Sequence, residues 1–67
     1  MFAEYDVVEL TDAIDSSLPA GTRGAVVIVY RCFPPEYEVE FVDRQGDTIA
    51  IKTVNESQLC AAKNTSE

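Results

Sequence analysis

The stretch Glu36-Tyr37-Glu38-Val39-Glu40-Phe41 decides the fold. Successive side chains of a β-strand point to opposite sides. Tyr37, Val39 and Phe41 therefore share one face, and Glu36, Glu38 and Glu40 share the other. Strict alternation of this kind predicts a half-buried strand, with its apolar face on a core and its acidic row on the outside.

Downstream, Asp43-Arg44-Gln45-Gly46 reads as a turn, with Gly46 free to take positive φ. In Thr48-Ile49-Ala50-Ile51-Lys52-Thr53, Ile49 and Ile51 share a face, and Thr48, Ala50 and Lys52 share the other. Residues 37–42 and 48–53 thus predict a hairpin, with Glu38 or Glu40 across from Lys52. Upstream, Asp6-Val7-Val8-Glu9-Leu10 is a short strand, and Thr11 to Pro19 is a polar loop. Asp12-Ala13-Ile14-Asp15 has the makings of one helical turn, with Ile14 tucked inward. Gly21 and Gly24 mark a tight turn or bulge before the strand Ala25-Val26-Val27-Ile28-Val29-Tyr30. That strand is apolar on both faces, so either it is doubly buried or part of it faces a partner. Arg31-Cys32-Phe33-Pro34-Pro35 is the next turn. Asn55-Glu56-Ser57 suits a 3₁₀ turn, and Gln58-Leu59-Cys60 a short last strand.

The expected fold is all-β: a small SH3-like barrel of about five strands, with a 3₁₀ turn before the last and a sheet closed to limit its edges. An OB-fold would need a helix between the third and fourth strands, and there is no room for one. Residues 1–60 form one domain in this reading, and 61–67 a frayed polar tail.

Composition bounds the chemistry. The chain has 67 residues, 12 acidic and 5 basic, for a net charge of −7, with no His, no Trp and two Cys. A chain this short cannot build both a core and a deep pocket. Catalytic triads, Cys-His pairs and His-metal sites all lack their histidine. The reading is therefore not an enzyme, with no cofactor and no metal. The five bases, Arg23, Arg31, Arg44, Lys52 and Lys63, are scattered singly, which disfavours nucleic acid and anionic membranes. The acidity suits solubility or a basic protein partner. The N-terminus has no basic region followed by a long apolar one, so a cytoplasmic location is expected, with Cys32 and Cys60 as reduced thiols acting as small apolar filler.

The order of segments also resembles a family. It runs from Tyr5-Asp6-Val7-Val8-Glu9-Leu10-Thr11 through Leu18-Pro19-Ala20-Gly21-Thr22-Arg23-Gly24-Ala25-Val26-Val27 to Tyr37-Glu38-Val39-Glu40-Phe41-Val42-Asp43, then Gly46-Asp47-Thr48-Ile49-Ala50, and closes on Gln58-Leu59. This is similar to the DUF4926 family of small bacterial proteins and covers residues 2 to 60. The resemblance implies a bacterial protein with an SH3-like barrel, without assigned activity or known functional residues. Some relatives are suspected to sit beside toxin-like genes, which implies an antitoxin or immunity role. Two departures stand out: Arg31-Cys32-Phe33-Pro34-Pro35 is more apolar than the polar turn expected there, and Ile28 takes a polar position. Gly21-Thr22-Arg23-Gly24-Ala25-Val26 is also similar to the KOW motif of ribosomal and transcription proteins, but carries one Arg where those motifs are rich in Lys and Arg.

Four groups of residues are candidates for function. Glu36, Glu38 and Glu40, with Asp43 and Asp47 at the turn, offer carboxylates for a divalent ion or for acid-base work; the commoner role of such a row is a solvated face. The same row can dock a basic protein, mimicking phosphate in the cleft of a nucleic-acid enzyme. Ile28, Phe33, Pro34 and Pro35, with Tyr30 nearby, form either an aromatic-proline contact surface or simply core and a stiff turn. Cys32 and Cys60 read as buried or idle thiols. The expected function is a protein-interaction module, an acidic antitoxin or immunity-type partner of a basic protein, with Glu36, Glu38, Glu40, Ile28 and Phe33 in the contact. The alternative is a KOW-like nucleic-acid-associated module. Homodimerisation through a strand edge is a further expectation.

Overall fold

The structure is a computed structural model and describes residues 1–62. Five strands run in the order β1 (Val7–Leu10), β2 (Arg23–Tyr30), β3 (Glu36–Val42), β4 (Thr48–Asn55) and β5 (Leu59–Ala61), with a 3₁₀ turn at Glu56–Gln58 before the last. All are antiparallel in one sheet of spatial order β4-β3-β2-β1-β5. The fold is all-β, with about the expected elements. The sheet is open, however: β4 and β5 are its two edges, where a closed barrel was expected.

The core lies on one side of the sheet. Tyr37, Val39 and Phe41 of β3 are fully buried there with Val8, Val26 and Leu18, joined by Leu10, Val54 and Leu59. Gly24 sits at the centre of this packing. A Cβ on it would stand 2.7 Å from both the Glu40 carbonyl oxygen and Val39 Cγ1. The glycine thus serves the close approach of β2 to β3, and lies within a strand rather than in a turn. The left-handed turn falls at Gly21, and another at Gly46, both at φ +87.

The loop before β2 contains no helical turn. The Asp15 Oδ1 carboxylate oxygen accepts from the Ser17 and Leu18 amides and the Ser17 hydroxyl, at 2.8 to 3.1 Å. This bonded turn drives Leu18 into the core, and the Ser17 hydroxyl and amide hold the Asp15 carboxyl below its usual range. Asp15 satisfies in this way amides that a helix would have used on its own carbonyls. Ile14 packs against the core from outside, as expected.

Tyr37 is the polar hinge of the core. Its hydroxyl donates to Glu56 Oε1 at 2.9 Å and accepts from the Phe2 amide at 3.0 Å, while the Phe2 ring meets its edge at 5.5 Å between centroids. Loss of hydration pushes the Tyr37 phenol up. The Met1 amine lies 3.0 Å from Glu56 Oε2. Hydrogen bonds from that amine and then from Tyr37 hold the Glu56 carboxyl below its usual range. The last strand is shifted by one residue from the expected 58–60. Gln58 belongs to the 3₁₀ turn, where its side-chain oxygen accepts the Asn55 amide at 2.9 Å. The ladder continues past residue 60, with Ala61 opposite Val8 and the Ala62 amide donating to the Val7 carbonyl at 3.1 Å. Of the expected frayed tail, residues 63–67 lie outside the described residues.

Candidate partner-binding face

Two one-residue register shifts decide which side chains face outward. In the β3–β4 hairpin Val42 pairs with Thr48, and an unbroken ladder from there would set Glu38 opposite Lys52. A shift next to that pair instead places Phe41 opposite Ala50, Glu40 opposite Ile51, Val39 opposite Lys52 and Glu38 opposite Thr53. The extra residue turns the strand over relative to its partner. Lys52 therefore lies on the face opposite Glu38 and Glu40, contrary to the expected cross-strand pair. Ile49 and Ile51 lie outside, with Ile51 54 % exposed. In the β2–β3 pair a second shift falls between Val26 and Ile28. Val26 remains opposite Val39 in the core, while Ile28 comes opposite Glu38 on the outside, 44 % exposed.

The outer face over β2, β3 and β4 is thus built from rows. Tyr30 lies beside Glu36, Ile28 beside Glu38 and Thr53, and Ala25 beside Glu40 and Ile51. Glu38 Oε1 accepts from the Thr53 hydroxyl at 2.9 Å on one side and the Tyr30 hydroxyl at 3.3 Å on the other. Partial burial, and then the Glu38 charge, push the Tyr30 phenol up. Glu40 accepts from the Thr48 hydroxyl. The structure thus brings together four of the five expected contact residues: Ile28, Glu36, Glu38 and Glu40. Phe33 stands apart at the tip of the β2–β3 loop, 97 % exposed, joined to Pro34 by a cis peptide bond. Ile28, Tyr30 and Phe33 all lie outside the core, which removes the reading of them as core residues.

The remaining candidates separate from this face. The Asp43 Oδ1 oxygen accepts the Gln45 and Asp47 amides at 2.9 Å each, so this carboxylate shapes its turn. Among the described residues, no group of three acidic or cysteine side chains is gathered as a metal ion would require. Cys32 and Cys60 are both exposed, which corrects the expectation of buried filler. The Cys32 thiol donates to the Pro34 carbonyl, with Sγ at 3.3 Å. Arg23 is bonded to Glu9, Nη2 to Oε2 at 3.0 Å, on the same outer side over β1 and β2. Sequence reading placed Thr48 on this face but missed Ile49, Ile51 and Thr53. Their alternation was visible, but the register shift that sets its direction has no Gly or Pro to mark it. No helix among the described residues is long and apolar enough to cross a membrane.

The described residues thus form a single antiparallel sheet with an apolar core on one side and a mixed acidic and apolar face on the other. Residues 4–61 match the family model described as "Domain of unknown function (DUF4926)", and the chain belongs to that family. Neither curated proteins nor solved structures give a match.

Proposed function

We propose that the protein is a non-enzymatic interaction module that binds a basic protein through the outer face of β2, β3 and β4. The observation that carries this reading is the interleaving of Glu36, Glu38 and Glu40 with exposed Ile28, Tyr30 and Ile51 on one continuous surface. Apolar side chains supply area to bury, and the carboxylates supply attraction and register. The overall charge of −7 adds long-range steering toward a cationic partner. An antitoxin or immunity protein of a bacterial cytoplasm, neutralising a basic toxin, is the biological role that fits this chemistry. The strand order β4-β3-β2-β1-β5, with a 3₁₀ turn before the last strand, supports an SH3-like reading of the open sheet.

The alternative, a KOW-like nucleic-acid module, has the Gly21 bend in its favour and the net charge against it. The test is affinity capture on the tagged protein at low and at near-physiological salt, with nuclease controls, repeated with the double variant E38Q/E40Q. The expected result is one stoichiometric basic protein, weakened by salt and held about tenfold less well by the double variant. Capture unaffected by the double variant overturns the acidic-face reading. Capture lost on nuclease treatment supports the alternative.

A further inference from the structure

The outer face meets the outside of the molecule at β4, and the acidic row is carried there by hydrogen bonds. Thr48 and Thr53 belong to β4, and their hydroxyls draw the carboxylates of Glu40 and Glu38 toward it from β3. β4 is also an edge. Among the described residues it pairs with β3 alone. In an antiparallel ladder alternate residues turn their N–H and C=O groups to opposite sides, so half of β4 presents these groups away from β3. An edge of this kind is a template for another strand, and natural proteins guard it with short length, prolines, bulges or charges. β4 is eight residues long and contains neither Pro nor Gly; its one bulge lies at the Thr48 end and leaves Ala50 to Asn55 in regular register, and its one charge, Lys52, lies on the face away from the glutamates. The opposite edge, β5, is only three residues long.

We infer that the β4 edge takes up an extended, basic segment of a partner protein by strand addition, with main-chain ladder bonds to Thr48–Asn55 and Lys or Arg side chains at alternate positions reaching over Ile51 and Thr53 to Glu40 and Glu38. This rests on the acidic-face reading and specifies how that face is used. Strand addition supplies affinity through the backbone and specificity through every second side chain. The alternation places all outward side chains of the added strand over the glutamate side, and those of the other parity toward Lys52. A second copy of the chain is the poorer occupant, because it would bring a charge of −7 against another −7 and offer no cation other than Lys52 on the pairing strand.

The test uses two synthetic ten-residue peptides of one sequence, Lys alternating with Val and Thr. One has free amides and the other is N-methylated at alternate amides, so that charge is kept and ladder donors are lost. Binding is followed by NMR titration of the folded wild-type protein. The expected result is binding of the free peptide, with shifts and slowed amide exchange concentrated in β4, and a loss of about tenfold or more for the methylated peptide. Equal binding of both peptides overturns strand addition while leaving the acidic face standing as a charge-driven surface. Binding of neither peptide overturns both readings. A dimer in sedimentation without peptide, protected at β4, overturns the proposal in favour of self-pairing.

Discussion

The two faces of β3 come from seven consecutive residues and do opposite work. On the inner face Tyr37, Val39 and Phe41 are fully buried. Their environment is fixed by packing, where one misplaced methyl group is felt. On the outer face Glu36 is exposed and Glu38 and Glu40 are half-buried, the latter two accepting threonine and tyrosine hydroxyls of the neighbouring strands. On the proposed function, alternation alone separates stability from recognition on one strand, so each face can be altered without the other if the register holds.

The strongest way to break this division is Phe41→Ala. It should cost about 3–5 kcal/mol in urea unfolding, enough to unfold most of a domain this small. Gly24→Ala comes next, at about 1–3 kcal/mol, because the added Cβ would meet backbone and side chain of β3 at 2.7 Å. A variant as stable as the wild type would show that β2 can move away from β3 without loss. Tyr37→Phe should cost about 1–2 kcal/mol, since it leaves the Phe2 amide and Glu56 without their shared partner while keeping the ring.

Glu56 gives the same region a pH signature. Its folded pKa is lowered, so it contributes stability above the ordinary carboxylate range, lost as pH falls through the lowered folded value. Glu56→Gln should flatten the acid limb of a stability-versus-pH curve; an unchanged limb would place acid sensitivity elsewhere. Smallest of all, Glu40→Gln should change stability by about 0.5 kcal/mol or less, because it is a surface substitution. Its effect should instead be read in partner binding. A large loss of stability would show that the outer face is structural and would erase the contrast.

Much of this was legible beforehand, and the gaps share a cause. Strict alternation at 36–41 and the turn at Gly46 identified β3 and its hairpin, because period and turn chemistry are local properties. The direction of β4 and of the end of β2 was not legible. It depends on shifts beside Val42 and after Val26, and a single inserted residue reverses every side chain beyond it. Without the first shift Lys52 would neutralise Glu38; with it the acidic row stays unopposed and Ile51 joins it. Leu18 was missed as well, because nothing in a polar loop announces that Asp15 will fold it inward. The candidate face was therefore half visible: its carboxylates and Ile28 were foreseen, Phe33 was expected there but stands apart, and Ile51 and Thr53 on β4 were not foreseen.

The short β5 has a consequence for how the chain folds. The three hairpins β1–β2, β2–β3 and β3–β4 join neighbours in sequence, whereas β5 returns to β1 across about fifty residues to pair Val8 with Ala61. Joining distant segments costs chain entropy before any contact repays it. The meander should therefore assemble first and the return of β5 should come last. In native hydrogen exchange the amides of Cys60 and Ala61 should open well before those of Val39 and Phe41. Weakening β5 should then speed unfolding while leaving the folding rate nearly untouched, as expected for a segment absent from the transition state.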